Sequence, residues 1–204
     1  MKKLIIVFAV LFVGLSACQE SESPTPSPQL SAAEVETLIF TREEEKLAFD
    51  VYSYAFEQYG ITAFQNIAKS ETQHIQSVLR LMASYGISDP LNGDQTLGKF
   101  TDPALQLLFK QLKERVDLSE SEAVKVGLLI EDMDIYDLQM GILETDKALI
   151  QALYQSLMCG SENHMRSFYN LATQAGIDYS PEYISLSEYN QIINSSRTSC
   201  NSNF

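Results

Sequence analysis

Glu71-Thr72-Gln73-His74 sets a carboxylate and an imidazole one helical turn apart. The apolar residues on either side, Phe64, Ile67, Val78, Leu81 and Tyr85, keep the three-to-four spacing of a buried helix stripe. Continued through the gap, that stripe passes through positions 71 and 74, where Leu or Ile would be expected. An acid and an imidazole aimed at a core need a partner, because burying them alone is costly. A metal ion is the simplest partner for Glu-x-x-His. The motif is common by chance, so its weight comes from other segments that do the same thing. Glu45 occupies an apolar slot in a stripe running from Leu38 to Tyr59, and Glu131 does so in a stripe from Val124 to Ile142, with Asp134 one turn further on. His164 lies in the stripe from Ile150 to Ala175. Glu43 and Glu44 are expected at the surface, with Glu44 the second choice to Glu45.

Glu45, Glu71, His74, Glu131, Asp134 and His164 make four carboxylates and two imidazoles. Four negative charges offset two divalent metal ions, so ligands and cations meet one another's burial cost. Oxygen ligands with one nitrogen per metal suit iron; manganese and zinc are the alternatives.

Four long helices must bring these residues together. Leu30 to Gly60 reads as the first, with Ser31 and Glu34 forming a capping box and Gly60 as the stop. Thr62 to Tyr85 is the second, and the short turn makes the two an antiparallel hairpin. Glu45 lies 15 residues before Gly60, and Glu71 and His74 lie 11 and 14 after it. At the rise of a helix, about 1.5 Å per residue, these are similar depths. Gly86 to Pro103 is loop and Ala104 to Arg115 a short helix within the same connection, long enough for the next helix to run parallel to the second. Ser119 to Thr145 and Asp146 to Gly176 form the second hairpin, and Tyr179 to Asn194 adds a short tail helix. The expected fold is an all-α four-helix bundle over residues 30–195, with one long crossover containing a short helix and a loose tail at 196–204.

The chain has 204 residues, 45% of them hydrophobic, and a formal net charge of −13. That charge argues against nucleic acid and against electrostatic adhesion to anionic lipid, while suiting metal cations. Residues 1–18 read as a processing signal: Lys2 and Lys3, an apolar run from Leu4 to Val13, then Leu15-Ser16-Ala17-Cys18. This resembles a bacterial lipoprotein signal, which implies lipidation of Cys18, a membrane partner through that anchor and an exported protein, with Gln19 pointing to the outer membrane. Residues 19–29, rich in Ser, Pro and Glu, read as a solvated tether.

The helical residues carry a second resemblance. Glu45-Lys46-Leu47-Ala48 with Tyr52, Glu71-x-x-His74 and Glu131-x-x-Asp134 are similar to motifs of the ferritin-like superfamily, in particular rubrerythrin-like members. More narrowly, Arg42 to Ala48, Phe64 to Ala68 and Glu131 to Leu138 resemble the domain of unknown function 2202, over about residues 30 to 194. The resemblance implies a ferritin-like bundle with a di-iron site and redox chemistry on oxygen or peroxide, with Tyr52 either core packing or a nearby electron or proton donor. Ser161 departs from the pattern, standing where the superfamily has a ligand Glu; Asp134 is the residue that would replace that carboxylate. Three other readings stay open: a module that holds or sequesters metal without turnover, an interaction module with structural Glu–His pairs, and haem on His74 and His164, for which four carboxylates make a poor pocket. Cys159 and Cys200 are a candidate disulfide rather than metal ligands.

Overall fold

The computed structural model describes residues 29–200. The leader 1–18 with Cys18, the tether up to residue 28 and the last residues 201–204 lie outside the described residues. The rest is helical: α1 Ala32–Tyr59, α2 Thr62–Ser84, α3 Pro103–Val116, α4 Glu120–Leu143, α5 Ala148–Ala175 and α6 Leu186–Asn194. Among the described residues there is no strand, and no helix is long and apolar enough to cross a membrane.

Local signals set the ends of these helices. Ser31 and Glu34 form the expected capping box, and Gly60 closes α1 in the left-handed conformation at φ 68°. Asp102 caps α3 ahead of Pro103, Ser119 caps α4, and Gly176 closes α5 at φ 66°. α1 and α2 form one hairpin and α4 and α5 the other. Glu34 at the start of α1 meets Thr145 just past the end of α4, and Tyr59 at the end of α1 meets Val116 just before α4. α1 and α4 are therefore antiparallel, and α2 and α4 run parallel, as a long crossover requires.

The interior is two apolar clusters with a polar layer between them. One holds Leu47, Val51, Phe64, Leu128 and Ile135, with Tyr52, Phe64 and Phe168 packed ring on ring at 5.1–6.1 Å. The other holds Leu38, Val78, Met82, Leu138, Ile150 and Leu157. Along α1, α2 and α5 the candidate ligands fall at the crossing from one cluster to the other, and on α4 Glu131 and Asp134 lie just before it. Apolar plugs thus close the layer at both ends, and each charge within it is felt strongly because water is kept away.

The outer face of α1 differs from expectation. Arg42, Glu43, Glu44 and Lys46 are all buried, with exposures of 0–2%. The crossover and α3 lie over this face. Arg42 Nε pairs with Asp89 at 2.7 Å, and Lys46 donates to Asp50 at 2.5 Å and to the Thr96 carbonyl at 2.9 Å. Glu43 accepts from the backbone N–H groups of Thr101 and Asp102, fastening the start of α3. Arg42, Glu43 and Lys46 are thus the contact surface for a second layer, each with a partner there, while Glu44 is buried beside Asp137 of α4.

The tail helix is shorter than the expected Tyr179 to Asn194. Asp132 accepts from the backbone N–H groups of Glu182, Tyr183 and Ile184 and from the Tyr179 hydroxyl, holding that segment as an irregular turn against α4. Arg166 donates to the Ile192 carbonyl and Ser195, and Asn163 to the Thr198 carbonyl. Cys159 is joined to Cys200 by a disulfide. The tail read as loose is tied down as far as residue 200.

Candidate metal centre

Glu45, Glu71, Glu131 and His164 are 1–3% exposed, and they converge with His74 on one level of the bundle. His74 Nδ1 lies 2.8 Å from Glu71 Oε2 and 3.0 Å from Glu45 Oε2. His164 Nδ1 lies 2.8 Å from Glu71 Oε1 and 3.5 Å from Glu131 Oε2. Glu71 therefore turns one carboxylate oxygen to each histidine. Two triads result, Glu45–Glu71–His74 and Glu71–Glu131–His164, and within each the donor atoms lie within 4.8 Å of one another. The two imidazole rings stand side by side at 5.4 Å between centroids.

Asp134, the sixth expected ligand, falls outside both triads. Its carboxylate is buried beside them and accepts a hydrogen bond from the Ser161 hydroxyl. Ser161, where a ligand Glu is expected from the resemblance, thus contacts the acid expected to compensate for it. Glu45 Oε1, Asp134 Oδ1 and His164 Nδ1 are buried without a hydrogen-bond partner. His164 Nδ1 is within reach of Glu71 Oε1, but the angle is wrong for a hydrogen bond. Buried ligand atoms without a hydrogen-bond partner suit a cation, so the residues of the two triads could hold metal.

Electrostatics agree with that reading. Burial pushes the Glu71 carboxyl up, but His164 and His74 outweigh it and hold Glu71 well below the usual range. For His164, burial works against the charged form, yet Glu71 and Glu131 raise the imidazole to about 10. His74 is likewise raised, by Glu45 and Glu71 against burial. Burial raises Glu45 to about 7, partly offset by His74. Burial also raises Asp134 strongly, with Glu45 and Glu131 adding to it. Without metal, the layer balances its buried acids with protons on the imidazoles and on some of the carboxyls.

Three supporting contacts run between helices, where helix periodicity gives no partner. Tyr52 donates to Glu131 Oε1 at 2.5 Å and so orients that carboxylate. Ser161 does the same for Asp134. Gly160 is a cradle, because a Cβ there would come 2.4 Å from His74 Nε2. Its one available signal is that it is a small residue beside the stripe, one turn before His164. Gly160→Ala should push the His74 ring off its position, costing about 1–3 kcal/mol by overpacking. Thermal unfolding of the purified variant, with its metal content, checks this; wild-type values for both would show that the ring has room to move.

Between α2 and α5, a cleft of about 510 Å³ reaches the histidines from outside. His74, His164 and Gly160 line its floor, and Arg80, Arg197 and Cys200 are among its other walls.

Fold and centre define an all-α bundle protein with two glutamate-linked carboxylate–histidine triads. Residues 34–196 match the family model for an uncharacterized protein domain, DUF2202, and the chain belongs to that family. It is 45% identical over 174 residues to the uncharacterized protein MJ0754 of Methanocaldococcus jannaschii, covering 85% of this chain and 94% of that protein. The crystal structure of that hypothetical protein is also similar, with a TM-score of 0.82 at 44% identity, covering 86% of this chain and all of the other.

Proposed function

We propose that this chain is a ferritin-like metalloprotein that binds two metal ions, iron in the first instance, and carries out redox chemistry on oxygen or peroxide. The observation that carries the proposal is the double-facing Glu71, one oxygen to each histidine, inside a layer sealed by apolar clusters. Glu45 and His74 would complete one metal position and Glu131 and His164 the other, with Asp134 alongside as the acid free to join either. A bound iron pair supplies two electrons at one place, which is what reduction of a peroxide consumes.

The protein's own part is positioning and insulation. Glu71 holds the two positions together from a single helix. Tyr52 and Ser161 fix the orientation of Glu131 and Asp134, as outer hydrogen-bond partners of metal ligands do. The Tyr52–Phe64–Phe168 cluster keeps water from one side of the layer. The α2–α5 cleft gives a small oxidant a way to the histidine edges. Burial, Glu131 and Glu71 all keep the Tyr52 phenol protonated well above its ordinary range, so it stands as a hydrogen-bond donor beside the centre. The leader sequence supports export and lipidation at Cys18, which would place this centre at a membrane surface on a short tether.

Elemental analysis of purified protein, combined with oxygen and peroxide consumption by the iron-loaded form, tests the reading. The expected result is two metal ions per chain and consumption of oxidant. Metal without consumption assigns a holding role instead, and a chain that takes up no metal overturns the proposal.

A further inference from the structure

A second opening lies on the opposite side of the bundle. Between α1, α3 and α4 lies a groove of about 620 Å³ whose walls include Glu36, Glu43, Asp102, Asp137 and Glu144. None of its lining side chains is cationic. Glu43 and Asp102 accept backbone hydrogen bonds at the start of α3. Asp137 is the groove acid that stands next to the interior, because its carboxyl lies beside that of Glu44. Glu44 is 2% exposed, and its Oε1 has no hydrogen-bond partner. Its nearest charged company on the inner side is Asp134 and Glu45, each of which also has one unpartnered oxygen. From the groove, the acids Asp137 and Glu44 thus lead toward Asp134 and Glu45 at the centre. Nothing in the metal centre itself needs Glu44, which belongs to neither triad. The cleft on the other face carries Arg80 and Arg197 and has no carboxylate among its lining residues, so it repels cations.

We propose that divalent metal ions load the centre through this α1–α3–α4 groove, resting in transit at a site made by Glu44 and Asp137. The inference builds on the metal-binding function proposed above. The two openings then divide the traffic by charge: cations pass along the carboxylate file, while an oxidant approaches from the arginine side. A file of like charge with low-dielectric walls concentrates counter-ions and raises their arrival rate. The unpartnered Glu44 oxygen, beside the Asp137 carboxyl, is the donor pair a passing cation would use.

The test is the rate at which metal-free protein takes up Co²⁺, followed in a stopped-flow instrument through the visible absorption of the bound ion, with the final stoichiometry read in parallel. In the wild type the loading rate should saturate as Co²⁺ is raised, because the transit site fills. Glu44→Gln and Asp137→Asn should each slow loading about ten-fold, the lower end of such steering effects, and reach the same final stoichiometry. Asp137 is partly exposed, so its variant keeps the test open should the buried one fold poorly. Glu57→Gln, which removes one exposed charge elsewhere on α1, should load at the wild-type rate. Loading at the wild-type rate in both variants overturns the inference and leaves the metal centre standing. Loss of bound cobalt at equilibrium in Glu44→Gln also overturns it, by making Glu44 a ligand. Wild-type protein that binds no cobalt removes the metal centre itself and the inference with it.

Discussion

Glu71→Ala should empty both metal positions at once, whereas Glu45→Ala and Glu131→Ala should each empty one. The asymmetry follows from geometry: Glu71 is the one residue shared by the two triads, with an oxygen 2.8 Å from each histidine. The metal-free variant should also be weakened. Its two imidazoles, His164 buried and His74 partly so, lose the carboxylate that holds their protons, and removing one partner from a buried charge set costs about 3–5 kcal/mol. Metal content and thermal unfolding of the three variants check this together. Equal metal loss in all three would deny Glu71 its bridging place, and unchanged metal content in Glu71→Ala would end the assignment of the site.

Chelation should lower the unfolding midpoint by about 10 °C at neutral pH. Ligand present at a thousand times its dissociation constant contributes about 4 kcal/mol, and each kcal/mol shifts a domain of this size by roughly 2–4 °C. The gap between metal-bound and metal-free protein should widen as pH rises. In the metal-free chain Glu45 titrates at about 7 against an ordinary 4.5, and His164 at about 10 against 6.5. Both values are raised, so each contribution is complete below the ordinary value and is lost as pH climbs through the folded one. Glu45 therefore weakens the metal-free protein between 4.5 and about 7, and His164 between 6.5 and about 10. Glu71, held below its usual range, loses its contribution only in acid. Metal binding has the opposite slope, because the cation must displace these protons and does so more easily as they thin out. Melting curves with and without chelator from pH 5.5 to 8.5 decide the matter. A gap that stays constant or narrows with rising pH would show that the buried protons are not where the metal goes.

Much of this centre was legible before any coordinates. Helix periodicity alone shows Glu45, Glu71, His74, Glu131 and His164 to face inward, and counting residues from the two hairpin turns shows them to share a level. The two triads bear out both. These are properties of single helices, where rise and rotation per residue are nearly constant, and local capping residues such as Ser31, Gly60 and Asp102 mark the ends.

The same arithmetic misplaced Glu43 and Glu44, and it was silent on Gly160 and on the Tyr52–Glu131 contact. Whether a carboxylate meets water depends on what lies across from it, which for Glu43 is the start of α3, 58 residues further along the chain, and for Glu44 is Asp137 of α4. Asp134 shows the same boundary within the site. Its stripe position is right, but its first partner proved to be Ser161, 27 residues away on α5. The order of amino acids thus settles which groups enter the bundle and at what height, because a helix repeats the same step at every residue. Which oxygen faces which nitrogen, and which acids a second layer covers, is settled only when distant segments pack, because no local period encodes the distance between two separate helices.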